Sequence, residues 1–295
     1  MKTVLENLGV ESQRLRDLLR GLLTHSSIRR WHNPNVDGFV FVGGNYAWNQ
    51  LDAEAIQIQA KILEEYRRFF AVVRTLLREQ TEGALGKLEQ ADSTILEVIQ
   101  QQTTVYTDDA DKYFKQAITA LGSQVELLEG LYGPSDAKPF VVPDTNALIF
   151  NPDLEKWKFD GTPQFTMVLI PAVLSELDSL KVNHRVETVR EKAEKVISRI
   201  KEYRRRAAAA GGRLADGAVV VTGVSDIIAI AIEPKMEASL PWLDPASKDD
   251  QILASVIEVM RTKPRSPVLL VSRDINLQNK AEFANMPFVE PPDPI

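Results

Sequence analysis

Near residue 132 the hydrophobic residues of this chain change their period, and that change constrains the fold more than any other feature. Before it, apolar residues recur every three or four positions. Leu5, Leu8, Leu15, Leu18, Leu19, Leu22 and Leu23 form one such stripe; Ile56, Ile62, Leu63, Tyr66, Phe69, Phe70, Val73, Leu76 and Leu77 form another. A third runs from Leu85 to Ile99, and a fourth holds Tyr113, Phe114, Ala117, Ile118, Leu121, Val125, Leu128 and Leu131. One-sided stripes of this kind predict a helical bundle or hairpin, because each apolar face needs a partner surface. A short strand-like patch, "FVFVGG" (39–44), interrupts them. "YGPSDAKP" (132–139) then supplies Gly, two Pro and Ser, which signal a boundary.

After the boundary, short apolar runs alternate with helical stretches. Strands are expected at "FVVPD" (140–144), "FTMVLI" (165–170), "GAVVVTGV" (217–224), "IIAIAI" (227–232), "SPVLLVS" (266–272) and, as a last edge, "PFVE" (287–290). Helices are expected at "PAVLSELDSLK" (171–181), along a long basic stretch ending at Gly211, at "SKDDQILASVIEVMRTK" (247–263) and at "NLQNKAEFANM". Pro171 suits a first helical turn. Alternating strands and helices imply an α/β unit with a parallel sheet flanked by helices. The expected organisation is a mainly α-helical domain over 1–132, a linker over 133–139 and an α/β domain over 140–295, with an extended insertion near 183–245.

Composition removes several classes of function. The chain of 295 residues has no Cys, so thiol catalysis, disulfides and thiolate metal sites are excluded, and a reducing compartment fits. Its charge is −6, from 41 acids and 35 bases, which gives no global drive toward polyanions or membranes. No apolar run approaches the length of a membrane span, and the start is too charged for a secretory signal, so a cytoplasmic location is expected. His25, His32 and His184 do not stand at metal-ligand spacing.

Five acids on four separate segments stand out. In doubly wound sheets ligands bind outside the carboxyl ends of the strands. Asp144 ends the strand "FVVPD", and Asp274 in "LLVSRDINL" follows another strand in the same way. Asp249 and Asp250 open a helix after a loop; Glu176 lies about one and a half turns into the helix after the second strand. Each acid alone has an ordinary role: a helix cap for Asp144 or Asp274, a first-turn acid for Asp249 and Asp250, a solvated helix residue for Glu176. Together they point elsewhere, because two of them terminate apolar strands. Clustered carboxylates repel. Hard divalent cations such as Mg²⁺ or Mn²⁺ offset that repulsion through oxygen ligands, and they activate water for phosphodiester hydrolysis.

"VVPDTNALI", "IPAVLSELDSLK", "KDDQILASV" and "VLLVSRDINLQNKA", in that order, resemble the four acidic motifs of PIN-domain nucleases. The resemblance covers residues 139 to 295. It implies a five-stranded parallel sheet and a Mg²⁺- or Mn²⁺-dependent nuclease, most often acting on RNA, here as an endoribonuclease on single strands. By position, Asp144, Glu176, Asp249 and Asp274 match the metal-site and catalytic acids, with Asp250 as an assisting ligand. Thr145 and Ser272 match hydroxyls that orient carboxylates, and Asn146 matches the polar position after the first acid. The long 183–245 stretch departs from the small toxin type and fits a longer, eukaryotic-like branch.

Residues 185–206 hold nine Lys or Arg against four Glu. Interleaved acids make most of this a solvated helix face; Arg204, Arg205 and Arg206 are the candidates for the phosphate backbone. "RRWHNPN" (29–35) and "NYAWNQ" (45–50) mix aromatics with polar groups, which suits a structural anchor better than base stacking. The N-terminal stripes also offer a surface for a protein partner or a second copy. Two other functions compete. A haloacid-dehalogenase-type phosphatase needs a second Asp two residues after the first, where Asn146 stands. A non-catalytic RNA- or protein-binding scaffold needs no active acids at all.

Overall fold

The computed structural model describes residues 2–30, 46–103, 105–133, 137–231 and 233–294. The patch "FVFVGG", with His32 and the tip of the "RRWHNPN" cluster, lies outside them. The chain divides into two compact units, one spanning Leu8–Gly130 and the other combining the first seven residues with everything from Leu131 onward.

The helical unit is carried by α1 (Val4–Leu23), α2 (Ala53–Leu77), α3 (Glu82–Gln100) and α4 (Ala110–Tyr132), with a small antiparallel pair, β1 (Ile28–Arg30) and β2 (Tyr46–Trp48). The helices begin where side chains accept from free backbone amides. Asp52 caps α2 at Ala55 N, and Thr81 caps α3 at Ala84 N. The leucine and aromatic stripes become the core: Leu15, Leu19, Leu22, Ile62, Tyr66, Phe69, Leu88, Ile95, Phe114 and Leu121 are buried. Trp48, from the "NYAWNQ" stretch, is buried edge-on against Tyr113 and Phe114 at ring-centroid distances of 5.7 and 6.1 Å. It is an anchor of this unit.

The second unit is a six-stranded sheet built from β3 (Phe140–Pro143), β4 (Phe165–Leu169), β5 (Ala218–Val221), β6 (Ser225–Ala229), β7 (Val268–Val271) and β8 (Phe288–Val289). The strand order is β5-β6-β4-β3-β7-β8, and every pairing is parallel except β5 with β6. Five strands are thus parallel, and β5 adds one antiparallel edge. The stretch expected as an insertion is therefore mixed: β6 is a parallel neighbour of β4, in register from Phe165 opposite Ser225 to Leu169 opposite Ala229. Sequence could not separate the two runs, since both are short and apolar.

Helices α5 (Thr145–Phe150), α6 (Pro171–Asn183), α7 (Glu187–Ala209), α8 (Lys248–Thr262) and α9 (Ile275–Phe283) complete the unit. The central strands β4 and β7 are buried at every position, which is why they read as continuous apolar runs. From β3 the chain steps to β4 and β6 on one side, then crosses to β7 and β8 on the other. That reversal makes a crevice at the carboxyl ends of β3 and β7. Helix α5 was not expected as an element; six residues are too few to show a helical period.

Candidate functional site

The crevice is where the strand-ending acids sit. Asp144 is only 2 % exposed. Its amide donates to Val271 O at 3.0 Å, so the β3–β7 ladder itself fixes the residue at the strand end. Its Oδ1 accepts from Ala147 N at 2.6 Å, capping α5, and its Oδ2 accepts from the Ser272 hydroxyl. Ser272 Oγ in turn accepts from Asp274 N at 3.0 Å, so one hydroxyl ties the two strand ends together. Asp274 caps α9 through Asn276 N and Leu277 N.

Glu176 approaches from α6, and Thr145 donates to its Oε2 at 2.7 Å. Burial first, and then the charges of Asp274 and Glu176, push the Asp144 carboxyl up to about 6; the bonds from Ser272 and Ala147 pull the other way. The Asp144 carboxyl therefore faces the charges of both Asp274 and Glu176.

Asp249 and Asp250 open α8, which Ser247 caps. Asp249 is half-buried, and its Oδ2 accepts from Asn276 Nδ2 at 3.2 Å. Asp250 is 6 % exposed; its Oδ2 accepts from Asp244 N at 2.9 Å and its Oδ1 from Lys280 Nζ at 2.7 Å. Lys280 Nζ also stands 3.7 Å from Asp249 Oδ2. Burial works against the Lys280 ammonium, but the two aspartates outweigh it and hold its pKa above the ordinary 10.5. Asn276 and Lys280 are absent from the sequence reading. Their spacing was the available signal: positions four apart on a helix share a face, here two and six residues beyond Asp274.

Among the described residues, no three His, Cys, Asp or Glu side chains stand close enough together to hold one ion. The donors nevertheless suit a hard divalent cation in kind. They are all carboxylates, and the most buried of them faces like charges instead of a base. Asp249 is engaged instead by Asn276 and Lys280.

Of the other expected residues, Asn146 is exposed. Arg204 and Arg205 are exposed near the end of α7, whereas Arg206 is paired with Glu202 and lies 5.5 Å from the Tyr203 ring centroid. The loop after α7 returns to the carboxyl edge, where Ala229 N donates to Leu214 O at 3.2 Å. Earlier in α7, Lys195 pairs with Asp153, and Arg199 pairs with Glu155 and Glu202, so much of the basic excess is spent inside the unit. His184 sits in the α6–α7 loop and accepts from Val186 N.

A family model described as a PIN domain matches residues 141–290, half of the chain. The chain belongs to the PIN-domain family. The match spans this PIN domain from Val141 in β3 to the residue after β8, and so contains all four acidic motifs. A search of curated proteins gave no match. PIN domains are in general nucleases that use divalent metals. No described helix is long and apolar enough to cross a membrane.

Proposed function

We propose that this chain is a metal-dependent nuclease that hydrolyses phosphodiester bonds, with single-stranded RNA as its favoured substrate. One observation carries the reading. Asp144 is buried at the topological switch point with its carboxyl raised to about 6, beside two further carboxylates and, among the described residues, with no Lys or Arg paired to it. A protein under selection for stability alone has no reason to keep such an arrangement.

Asp144, Glu176 and Asp274 would hold the ion, with Asp249 as the fourth carboxylate and Asp250 behind it. A Mg²⁺ or Mn²⁺ there would neutralise the acids and activate a water toward phosphorus. The protein's own part is orientation. Ser272 fixes the Asp144 and Asp274 strand ends, and Thr145 aims Glu176. Arg204 and Arg205 offer charge to a phosphate backbone. The preference for RNA and for internal cleavage follows the family, and a cytoplasmic location follows composition. The helical unit is the candidate for binding a partner or a second copy.

A second reading has its own observation. Asp144 and Asp274 each commit an oxygen to capping a helix, and Asp249 is held by Asn276 and Lys280. A non-catalytic RNA- or protein-binding scaffold would need no more than that. Incubation with single-stranded RNA, single-stranded DNA and a phosphomonoester, with Mn²⁺ or with EDTA, separates the two. Metal-dependent cleavage of a polynucleotide, lost in Asp144→Asn, supports the nuclease. Binding without cleavage supports the scaffold, and cleavage that resists EDTA refutes the site as drawn.

A further inference from the structure

The acid edge contains a fixed positive charge that the family reading leaves without a role. Lys280 lies one and a half turns into α9, the helix capped by Asp274. Helical side chains lean toward the N-terminus, so a long side chain at this depth reaches back to the acids. Its ammonium meets Asp250 Oδ1 at 2.7 Å, Ser247 Oγ at 3.5 Å and Asp249 Oδ2 at 3.7 Å. Asn276, four residues earlier on the same face, holds the same Asp249 oxygen.

Asp250 is not a free ligand. Both of its oxygens are used, one by Lys280 and one by Asp244 N, and the side chain is nearly all buried. It anchors the lysine. Asp249 is half-buried and more loosely held, and it is the carboxylate that matches the motif.

We infer that Lys280 is a positioning residue for the acid edge: anchored by Asp250, its ammonium holds Asp249 back and sets how tightly that edge takes a divalent cation. The inference rests on the metal-dependent reading above. An ammonium within 4 Å of a ligand oxygen repels an incoming dication, so Lys280 trades cation affinity for a defined position of Asp249. With its side chain about one-third exposed, solvent screens the effect, which is therefore moderate.

The sign of one measurement separates this role from simple support. If Lys280 only braced the fold, losing its charge would loosen Asp249 and weaken cation binding. If it opposes the cation, losing its charge strengthens binding. Calorimetric titration of the full chain with Mn²⁺ is the test, in wild type, Lys280→Gln and Lys280→Arg. Gln keeps a donor for Asp250 but no charge. Lys280→Gln is expected to bind Mn²⁺ about three- to tenfold more tightly, and Lys280→Arg to stay within about twofold of wild type. An unchanged or weaker affinity in folded Lys280→Gln overturns the inference while leaving the nuclease reading intact. A wild type that binds no Mn²⁺ overturns both. Should Lys280→Gln not fold, wild type decides: the Lys280 Cε–Hε resonance, identified by its loss in Lys280→Arg, must move on Mg²⁺ titration, and a stationary resonance refutes the role.

Discussion

Asp144 of the PIN domain is surrounded differently from the acids packed into the helical unit, and differently from its neighbour Asp250, which has Lys280. In the helical unit each has a partner of opposite or neutral character. Glu11 meets Arg68 at 2.7 Å, Glu65 meets Arg14 at 2.7 Å, and Asp92 accepts from the Tyr66 hydroxyl at 2.9 Å, which also accepts from Gln124. Burial pushes the Asp92 carboxyl up as well, but the hydroxyl opposes it. In the PIN domain Asp144 is buried among other carboxylates. A charge left uncompensated inside a bundle is destabilising. The cation site proposed for the PIN domain would need negative charge left over. Burial among like charges, more than burial alone, is what nominates Asp144 as the candidate acid.

The largest effect should come from the acid that carries this contrast. Asp144→Asn is expected to lower metal-dependent RNA cleavage about a thousandfold, the scale of several kcal/mol of lost charge stabilisation. Gel-based cleavage at saturating Mn²⁺ measures it, and a loss under tenfold would erase the distinction drawn here.

The same variant should be more stable than wild type at neutral pH. The folded carboxyl, at about 6, binds its proton more tightly than the ordinary 3.8 of an unfolded chain. Its contribution to stability is thus full below pH 3.8 and is lost as the pH rises through 6. At pH 7.5 the ionised form costs about 3 kcal/mol at most. Without metal, Asp144→Asn should then melt about 5 °C higher at pH 7.5, with the gain fading by pH 4. Equal melting temperatures at both pH values would mean that the crevice carries no electrostatic cost.

Ser272→Ala removes the hydroxyl that ties Asp144 to the Asp274 amide. A loss of activity of about 10- to 100-fold is expected, with little change in fold by circular dichroism. The converse experiment lies in the bundle. Arg68→Met leaves Glu11 without its cation and should destabilise by about 1–2 kcal/mol, since both groups are partly screened. Denaturant titration reads that change, and cleavage per folded molecule should not move. The smallest effect concerns Arg204, Arg205 and Arg206. Their triple Ala variant should flatten the salt dependence of RNA binding by about two charges, since Arg206 is already paired. An unchanged slope would place the backbone elsewhere.

Much of the architecture was legible because periodicity survives in sequence. The buried runs of β4 and β7 announced central parallel strands, and the leucine stripes announced the bundle. The acids at 144 and 274 were legible for a related reason, since an aspartate at the end of an apolar strand is conspicuous. What could not be read was mutual orientation. Lys280 and Asn276 look like ordinary polar helix residues until α9 is set beside α8. The hairpin at 217–229 looked like an addition until β6 paired with β4.

By itself, then, the sequence determined the helical stripes, the mixed α/β character of the second half, the strand-ending acids and the family. Those depend on local period and on motif order, which a linear chain records directly. Only the tertiary structure decided which acids face one another and which face a lysine. That outcome depends on how four separated segments meet at one sheet edge, and a Coulomb interaction is set by distance in space, which spacing along the chain does not specify.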